Sequence, residues 1–577
     1  MNTIKKTVSW ILIAAMFGGS FGSVNSVQAG QDKNVEITQY GEEGTPGTGD
    51  TEPVTETPAT EAPTTEAPAT ETPTTEAPTT ETPTTEAPTT EAPTTEQPVK
   101  PADPNLKESN LSPVTSKVLV IDPGHCGRHT GASGNGLREE VVVLDISKAC
   151  QDVLDTYGDI TVYMTREDGG CCENLDLGDC LISRNNYAKI LDADFLVSMH
   201  INAGSSNGAN LLVAYQSGFH DNIRKETQAF GRIALSNLSS IGIKNRGFLL
   251  RKSGTGNKYS NGKLADYYSI VRNGVVQNIP SVIIEHGYIT SSSDCSKFFR
   301  TKAKRKKVGN ADAKSIISYY GLKKKVIKGN FKKEGNVTYY KTSDDKKVTG
   351  WVKDEGTWYY FDKEDGRMHT GFLTEGENTF YLSPSTGEMV VGWFTVDGAK
   401  YLAKGNGAIV KGDVHSDGRY SYLFDKDGKQ LKKGFRTLGS ATYYLNSKRR
   451  AASGVTKISG KYYGFDPETC QMLYGYQEIN GKYYYFDPET GVAAKKKIVT
   501  IDDDKYYFGT KAARQTGLIS YKGNKYYFDK QSGKMLTGWR KINGKYYYFS
   551  KSNGKMQKSK WIGKYYVNAK GVRTKKK

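Results

Sequence analysis

The sequence predicts a multidomain chain: a disordered Thr/Glu/Pro-rich linker, an α/β domain with a mostly parallel sheet, and a β-hairpin solenoid of about twelve repeats. Three observations predict this order. Residues 51–100 consist mainly of Thr, Glu, Pro and Ala, and charge-free apolar runs alternate with helical segments over residues 116–322. A Tyr-rich unit of about 20 residues then recurs over residues 328–577. Each pattern is typical of a different kind of structure.

The first 115 residues are interpreted as an export signal followed by a spacer. Residues 1–29 have a basic start, an apolar core and small residues ending at Ala29, which is typical of a removable secretory signal peptide. Residues 30–115 are the predicted disordered linker. Within it, residues 51–100 contain ten Glu, one Lys and no aromatic residue, so they cannot bury enough apolar surface to fold. No later stretch reaches the length of a membrane span, and we therefore expect a secreted protein.

Apolar runs without charges predict the strands of the domain over residues 116–322. The runs at 118–121, 195–199 and 282–284 are rich in Val, Ile, Leu and Phe. Such runs are typical of strands that are buried on both faces, as in a parallel sheet covered by helices. Helical segments are predicted between and after these strands, at 140–157, 181–191, 222–240 and 295–319.

Polar residues at the carboxyl ends of these strands predict a site. His125 follows the first strand, His200 ends the second and Glu285 ends the third. Ligands of open α/β sheets bind outside the carboxyl ends of the strands, so we expect these side chains to lie together. Two imidazoles and one carboxylate suit a catalytic zinc ion, which keeps a fourth position for water. A second carboxylate, held off the metal, can then take the proton of that water.

These motifs, in this order, resemble the catalytic domain of zinc-dependent N-acetylmuramoyl-L-alanine amidases of the autolysin type. The resemblance covers about residues 116–320. The segments that carry it are IDPGH (121–125), GNGLREE (134–140), YMTRED (163–168), SRNNYAKILDADFLVSMHINAG (183–204), NRG (245–247) and PSVIIEHGYIT (280–290).

The resemblance implies a zinc ion held by His125, Glu139 and His200, with Glu140 as the alternative to Glu139. It also implies that Glu285 is the catalytic acid and base. The implied reaction is hydrolysis of the amide between N-acetylmuramic acid and the L-alanine of the peptidoglycan stem peptide.

Arginines in the same motifs have two interpretations. Arg246, in a loop before Gly247, could bind a carboxylate of the stem peptide, because a planar guanidinium suits bidentate pairing. For Arg184, on a predicted helix, we expect a structural ion pair instead.

Four residues depart from the family pattern: Cys126, His129, His286 and Tyr288, which replaces the common Phe. We expect His129 to lie on the surface or beside the ligands rather than to bind the metal. Cys126 as a fourth ligand would close the zinc site to water, so we do not expect it to be a ligand. His286 follows Glu285 on a strand and should point to the opposite face, which favours packing over catalysis.

The repeats predict a stack of hairpins. A 20-residue unit with alternating aromatics and a Gly turn forms one hairpin, which cannot bury a core alone. Tyrosines mark the register at Tyr340, Tyr360, Tyr381, Tyr401, Tyr422, Tyr444, Tyr463, Tyr484, Tyr507, Tyr527, Tyr547 and Tyr566.

These units resemble the cell-wall-binding repeats of choline-binding proteins, in which aromatic cages hold a quaternary ammonium group. The Gly-Trp step of such cages occurs here only at Trp351, Trp393 and Trp539. The ligand is therefore left open between choline, a glycan and an anionic polymer. Residues 326–577 contain 47 Lys plus Arg and 25 Asp plus Glu, a net charge of +22. This charge attracts polyanions, and for a secreted protein it favours a teichoic-type wall polymer over nucleic acid.

Seven cysteines in a secreted chain leave at least one unpaired if the others form disulfides. The sequence CCENLDLGDC suggests a local disulfide from Cys180 to Cys171 or Cys172. A zinc knuckle within this segment is not expected, because it lacks a histidine and a fourth thiol.

The sequence thus predicts a secreted, wall-associated peptidoglycan hydrolase of a bacterium with a Gram-positive type of wall. Its partners would be peptidoglycan and a wall polysaccharide, with no nucleic acid. Two alternatives remain: an adhesin with an inactive amidase domain, and a zinc endopeptidase that cuts within the stem peptide.

Overall fold

The computed structural model describes residues 105–170, 175–216, 218–324 and 327–576. The predicted signal peptide and most of the predicted linker lie outside these residues, as do Cys171 and Cys172. Within the described residues, no helix is both long and apolar enough to cross a membrane.

A six-stranded mixed sheet forms the centre of the α/β domain, in the order β5-β2-β6-β9-β7-β8. Strands β5, β2, β6 and β9 are parallel, and β7 runs antiparallel to β9. The prediction of a mostly parallel sheet is therefore confirmed. The six strands of this sheet are β2 Lys117–Pro123, β5 Ile160–Met164, β6 Phe195–Asn202, β7 Ala209–Leu212, β8 Asn245–Phe248 and β9 Ser281–Tyr288. Three short strands lie outside it: β1 Leu106–Glu108, β3 Ser133–Gly134 and β4 Leu137–Arg138.

Among the described residues, five helices of nine or more residues accompany the sheet: α1 Glu139–Leu154, α2 Leu177–Ile190, α3 Asp221–Ser240, α4 Ser269–Gln277 and α5 Lys302–Tyr320. Ser292–Asp294 forms a further short helical turn. Helix α5 begins later than predicted because Thr301 caps it by accepting a hydrogen bond from Lys304 N, and Cys295–Phe299 forms a separate π-helical turn. The sequence analysis missed β5, β7, β8 and α4, which are too short for a clear periodic signal.

Both faces of β2 are buried, as its apolar run predicts. Leu119 and Ile121 belong to a core shared with α1, α3 and α5. Val118 and Val120, which point the other way, belong to a second core that contains residues of α2 and α4. The domain therefore has helices on both sides of its sheet.

Twelve antiparallel hairpins follow in the described part of the chain, which confirms the predicted number. Small apolar clusters link neighbouring hairpins, as when Trp351 and Trp358 pack with Phe380 of the next hairpin. The paired strands are Asn330–Glu334 with Val337–Lys341, Lys347–Asp354 with Thr357–Phe361, Gly371–Glu375 with Asn378–Leu382, Gly392–Val396 with Ala399–Ala403, Val414–Ser416 with Ser421–Leu423, Gly434–Leu438 with Ala441–Leu445, Gly454–Ile458 with Lys461–Phe465, Gly475–Ile479 with Lys482–Phe486, Lys497–Ile501 with Asp504–Phe508, Gly517–Tyr521 with Asn524–Phe528, Gly538–Ile542 with Lys545–Phe549, and Lys560–Ile562 with Tyr565–Val567.

Short third strands add to four of these hairpins, at Met472–Leu473, Arg514–Gln515, Met535–Leu536 and Arg573–Lys576.

The first hairpins pack directly on the α/β domain. Trp393 and Phe424 of the repeats belong to the same apolar core as Val118 and Val120 of β2. The indole nitrogen of Trp358 donates a hydrogen bond of 2.9 Å to the hydroxyl of Thr161 in β5. The early repeats thus cover part of the sheet face that α2 and α4 leave open.

The end of the predicted linker also has structure. Leu106–Glu108 forms β1, which pairs in parallel with Lys347–Thr349 of the second hairpin. The structured chain therefore begins before residue 116, because the edge of that hairpin offers hydrogen-bonding groups to the incoming segment.

Candidate metal centre

The loop after β2, the start of α1 and the end of β6 bring His125, Glu139 and His200 together. One ligand atom from each of the three side chains lies within 4.8 Å of the others. Glu139 Oε1 is 3.1 Å from His125 Nε2 and 3.1 Å from His200 Nδ1. We call these three residues the histidine–glutamate cluster. Two imidazoles and a carboxylate in this arrangement can hold a divalent cation.

Backbone amides fix the carboxylate of Glu139. Its Oε1 accepts a hydrogen bond from Ile201 N at 3.0 Å, and its Oε2 accepts one from Ala132 N at 2.9 Å. Burial alone would raise the pKa of Glu139, but hydrogen bonds and charge interactions with His125 and His200 hold that pKa well below its usual value. The carboxylate is therefore ionised and oriented before any cation arrives.

Glycines make room for the histidine–glutamate cluster. A Cβ on Gly124 would collide with the imidazole of His200. A Cβ on Gly131 would lie 2.6 Å from both Glu139 Oε2 and His125 Cδ2, and Gly131 has a φ of +69°. His125 itself adopts a φ of 62°, an uncommon backbone conformation for a residue with a side chain. Such strain is tolerated where the surrounding structure enforces it.

Two buried arginines hold the loop that carries His125. Arg184 donates to the carbonyl oxygen of His125 at 2.8 Å and forms a buried ion pair with Asp122. Arg166 donates to the carbonyl oxygens of Pro123 and Gly124, both at 2.9 Å. The expected structural role of Arg184 is thus seen in its contacts. The sequence analysis missed Asp122, although its place in the IDPGH motif was a signal.

Glu285 lies beside His200, because the two residues are direct partners in the parallel pairing of β6 and β9. Its Oε2 atom is buried and has no hydrogen-bond partner among the described residues. Burial raises the pKa of Glu285 well above its usual value, and the nearby charge of Glu139 raises it further. An unsatisfied buried carboxyl oxygen is costly and points to a ligand or a reaction at this position.

The other predicted residues take up separate positions. Glu140 lies outside the histidine–glutamate cluster, and its carboxylate is 2.7 Å from the guanidinium of Arg138. His286 is fully buried, with Nδ1 3.0 Å from the carbonyl oxygen of His200 and Nε2 2.9 Å from Asp312. It therefore packs behind the site, as strand alternation predicted. Cys126 and His129 form a different group, with Cys180.

Arg246 is exposed in β8 and lines a cleft together with Ser205, Asn207 and Thr290. Its carbonyl oxygen accepts a hydrogen bond of 3.3 Å from the amide of Asn210. Asn210 is in turn the strand partner of Glu285 in the pairing of β7 with β9. Arg246 therefore lies on β8, which is separated from the strand of Glu285, β9, by β7 alone. Its side chain lines an open cleft.

Aromatic clusters recur at the Gly-aromatic steps of the repeats. The ring of Phe372 lies 4.8 Å from that of Tyr381 and 5.3 Å from that of Tyr401 of the next hairpin. Phe372 is 43% exposed, so this cluster faces solvent. The same arrangement occurs around Phe435, whose ring lies 5.0 Å from that of Tyr444.

At the equivalent position near the end of the chain, the cluster contains an internal cation. The ring of Trp539 lies 5.6 Å from that of Tyr565, and the guanidinium of Arg573 lies 4.6 Å from the centre of the Tyr565 ring. The same guanidinium is 4.0 Å from the ring of Tyr546. This aromatic cluster already has a cation–π partner from its own chain.

Comparisons with known proteins agree with both halves of the structure. Residues 119–318 match the family model described as N-acetylmuramoyl-L-alanine amidase. Residues 348–394, 496–537 and 515–561 match a choline-binding repeat, and residues 475–489 match a cell wall binding repeat.

Two relatives are named as amidases of Bacillus subtilis (strain 168). N-acetylmuramoyl-L-alanine amidase LytC is 29% identical over 209 residues, which are 36% of this chain and 36% of the relative. The sporulation-specific N-acetylmuramoyl-L-alanine amidase is 26% identical over 215 residues, which are 37% of this chain and 72% of the relative. The chain thus spans about a third of the length of LytC.

Among solved structures, CbpJ from Streptococcus pneumoniae TIGR4 is 23% identical with a TM-score of 0.31, and the match covers 43% of this chain and all of that one. The α/β domain is thus similar to N-acetylmuramoyl-L-alanine amidases over residues 119–318, and the hairpins that follow match choline-binding repeats.

Proposed function

We propose that this protein is a secreted bacterial wall hydrolase that cuts the amide between N-acetylmuramic acid and the first L-alanine of the stem peptide. The observation that carries this proposal is the histidine–glutamate cluster with Glu285 beside it. The match of the domain to amidases supports the choice of this bond. The signal-like residues 1–29 and the wall-binding repeats support a place in the cell wall, of the Gram-positive type.

The donor set fits zinc. Two imidazoles and one carboxylate converge, and no thiolate belongs to this cluster. His125, Glu139 and His200 would hold the ion and leave it an open position, as catalytic zinc sites do. When bound, zinc supplies Lewis acidity, which lowers the pKa of a water molecule and polarises a carbonyl oxygen.

Glu285 would move the proton. Its Oε2 atom, which has no partner among the described residues, would accept a proton from the attacking water. The protonated carboxyl of Glu285 would then deliver the same proton to the leaving nitrogen of L-alanine. One carboxylate can thus serve as base and then as acid.

Arg246 is proposed to bind the stem peptide. Its side chain is exposed on the cleft beside the strand partner of Glu285, and its planar guanidinium can pair with a carboxylate through two hydrogen bonds. This would hold the peptide on the side of the scissile amide where the stem continues.

For the repeats, we propose an anionic wall polymer of the teichoic type. The net charge of +22 over residues 326–577 supports this choice. The open clusters around Phe372 and Phe435 can stack on sugars or on substituents of such a polymer, whereas Arg573 already occupies the cluster at Trp539. Binding of isolated walls should weaken steeply as salt rises, and removal of the anionic polymer should abolish that salt dependence.

The test of the enzymatic proposal uses the full chain and purified peptidoglycan, with products identified by mass spectrometry. We expect the wild type to release intact stem peptides with a free N-terminal alanine. Glu285→Gln should lower turnover by about 10²–10⁴-fold while the bound zinc is retained. Glu139→Gln should instead lose the zinc.

Glu140→Gln is the matched control, because Glu140 follows Glu139 on the same helix but lies outside the histidine–glutamate cluster. It should retain both zinc and activity. Wild-type turnover by Glu285→Gln would refute the proposed role. Products cut within the stem would identify an endopeptidase, and no product from zinc-loaded protein would identify an adhesin.

A further inference from the structure

A second group of metal-binding side chains lies close to the first. Cys126, His129 and Cys180 each place one possible ligand atom within 4.8 Å of the other two. None of the three belongs to the histidine–glutamate cluster. Cys126 and His129 come from the loop after β2, and Cys180 comes from the first turns of α2, more than fifty residues later. We call this group the cysteine–histidine cluster.

A tight turn orients the first two side chains. The backbone nitrogen of Cys126 donates to the carbonyl oxygen of His129 at 3.0 Å, which closes the turn over Gly127 and Arg128. Gly127 N in turn donates to the carbonyl oxygen of Gly169 at 2.7 Å and so holds the turn against the neighbouring loop. Cys126 is fully buried, whereas His129 is partly exposed. The spacing Cys-x-x-His therefore presents a thiol and an imidazole to the same point.

The distances fit a tetrahedral zinc ion. Zinc bonds of about 2.3 Å to sulfur and about 2.0–2.1 Å to nitrogen put two such ligand atoms about 3.6 Å apart. The Sγ atom of Cys126 lies 3.6 Å from Nδ1 of His129. A simple hydrogen bond between the Cys126 thiol and the His129 imidazole is the alternative to a metal site. That hydrogen bond gives no reason for a second cysteine, whereas Cys180 lies at the same point and is 1% exposed.

A charged group lies beside the cluster. A guanidinium nitrogen of Arg184 lies 3.8 Å from the Sγ atom of Cys180, and the same guanidinium forms an ion pair with Asp122. Cysteine binds metals as the thiolate. Two thiolates and a neutral imidazole neutralise a divalent cation, so the buried group would carry little net charge.

We propose that Cys126, His129 and Cys180 form a second, structural metal site that takes a soft divalent cation, Zn²⁺ in the first place. It would be separate from the metal centre of the proposed reaction. The site would tie the loop that carries His125 to helix α2, in addition to the hydrogen bond between Arg184 and the carbonyl oxygen of His125. The proposal does not depend on the reaction, because it concerns metal content alone.

Cobalt(II) is the probe that separates the two sites. The histidine–glutamate cluster contains no thiolate, so of these two clusters the second alone can give a near-ultraviolet charge-transfer band from thiolate to cobalt. The full chain, purified in the presence of a thiol reductant, should bind two zinc ions and, with cobalt in their place, show this band. Cys126→Ser and Cys180→Ser should each lose one ion and most of the band. His125→Ala should lose one ion and keep the band.

Control variants remove thiols that lie outside the cluster. Cys150 and Cys470 are buried, one in α1 and one in the repeats, and neither belongs to a metal-ligand group among the described residues. Cys150→Ala and Cys470→Ala should both keep two zinc ions and the full band. His129→Ala changes a partly exposed residue, so it tests the site without a substitution in the core, and it should weaken the band.

Three outcomes would overturn the proposal. One is a single zinc ion per wild-type chain with no cobalt–thiolate band. Another is a peptide map of the unreduced, native-folded protein in which Cys126 or Cys180 is joined to another cysteine. The third is a band that survives in both Cys126→Ser and Cys180→Ser. Circular dichroism of each variant, compared with the wild type, shows whether loss of the ion follows from loss of the fold.

Discussion

Lys353 anchors the repeats to the α/β domain, and its removal should destabilise both. Its side chain is buried, and its Nζ donates to the carbonyl oxygens of Tyr157 and Ile160 at the start of β5. The same Nζ lies 3.9 Å from the carboxylate of Asp155. Burial lowers the pKa of Lys353 to about 8. A strand of the second hairpin thus places one cation against three acceptors of the α/β domain.

The magnitude follows from this environment. A fall of the lysine pKa from 10.5 to about 8 corresponds to a free-energy cost of about 3 kcal/mol for keeping the ammonium charged in the folded protein. Lys353→Ala recovers that cost but leaves Asp155 and two carbonyl oxygens without their cation. The net cost of removing one partner of a buried pair, with any such recovery already included, is about 3–5 kcal/mol. We therefore expect Lys353→Ala to lower the free energy of unfolding by about 3–5 kcal/mol.

Lys404→Ala is the matched control. Lys404 also bridges the repeats and the enzyme domain, with its Nζ 2.9 Å from Asp192, but both side chains of this pair are at least a third exposed. An exposed pair contributes about 0–1 kcal/mol, so this variant should unfold almost like the wild type.

Urea unfolding followed by tryptophan fluorescence measures both variants. Trp351, Trp358 and Trp393 are buried in the first hairpins, so they report on this region. The shared core predicts one main transition for the first hairpins and the α/β domain. Equal, small midpoint shifts for Lys353→Ala and Lys404→Ala would refute the reasoning, as would early loss of the tryptophan signal while the α/β domain remains folded.

Two further predictions concern the metal centre and the dependence of stability on pH. Gly124→Ala should lower metal affinity by about 10–100-fold in a chelator competition, because its Cβ displaces the imidazole of His200, while Gly254→Ala, with open space around it, should not. Burial, with smaller contributions from neighbouring acids, raises the pKa of Asp155 from 3.8 to about 6, so the folded state binds more protons there and stability should fall as pH rises through that window. The folded state binds fewer protons at Lys353 between its lowered pKa of about 8 and 10.5, so stability should rise with pH in that window. Urea midpoints measured across pH check both signs; an unchanged rise above pH 8 in Lys353→Met would contradict the assignment.

The sequence predicted the central strands, and the side chains that meet at their ends, well where the signal was local. The run at 118–121 alternates between two buried faces, and the structure shows both faces covered. His200 and Glu285 each stand near the end of such a run, and parallel pairing in register brings them side by side. The choice between Glu139 and Glu140 was open in the sequence, because both start the same helix; the structure puts only Glu139 with the histidines.

Some conclusions from local sequence were incomplete. A zinc knuckle was not expected within CCENLDLGDC, since that segment lacks a histidine and a fourth thiol. The structure supplies one from elsewhere, because the loop with Cys126 and His129 lies against the start of α2. The spacing Cys-x-x-His was present in the sequence as a signal. The suggested disulfide from Cys180 to Cys171 or Cys172 involves residues outside the described ones and stays a prediction. It and the proposed second metal site exclude each other, and the peptide map decides between them.

What the sequence by itself determined is the three buried central strands, the two histidines and Glu285 near their ends, and the period of the hairpins. These depend on side-chain alternation and turn residues, which act over a few positions. Only the tertiary structure decided which distant residues meet. It placed Cys180 beside Cys126 and the first hairpins on the sheet, because those contacts join surfaces that are far apart along the chain and carry no periodic pattern.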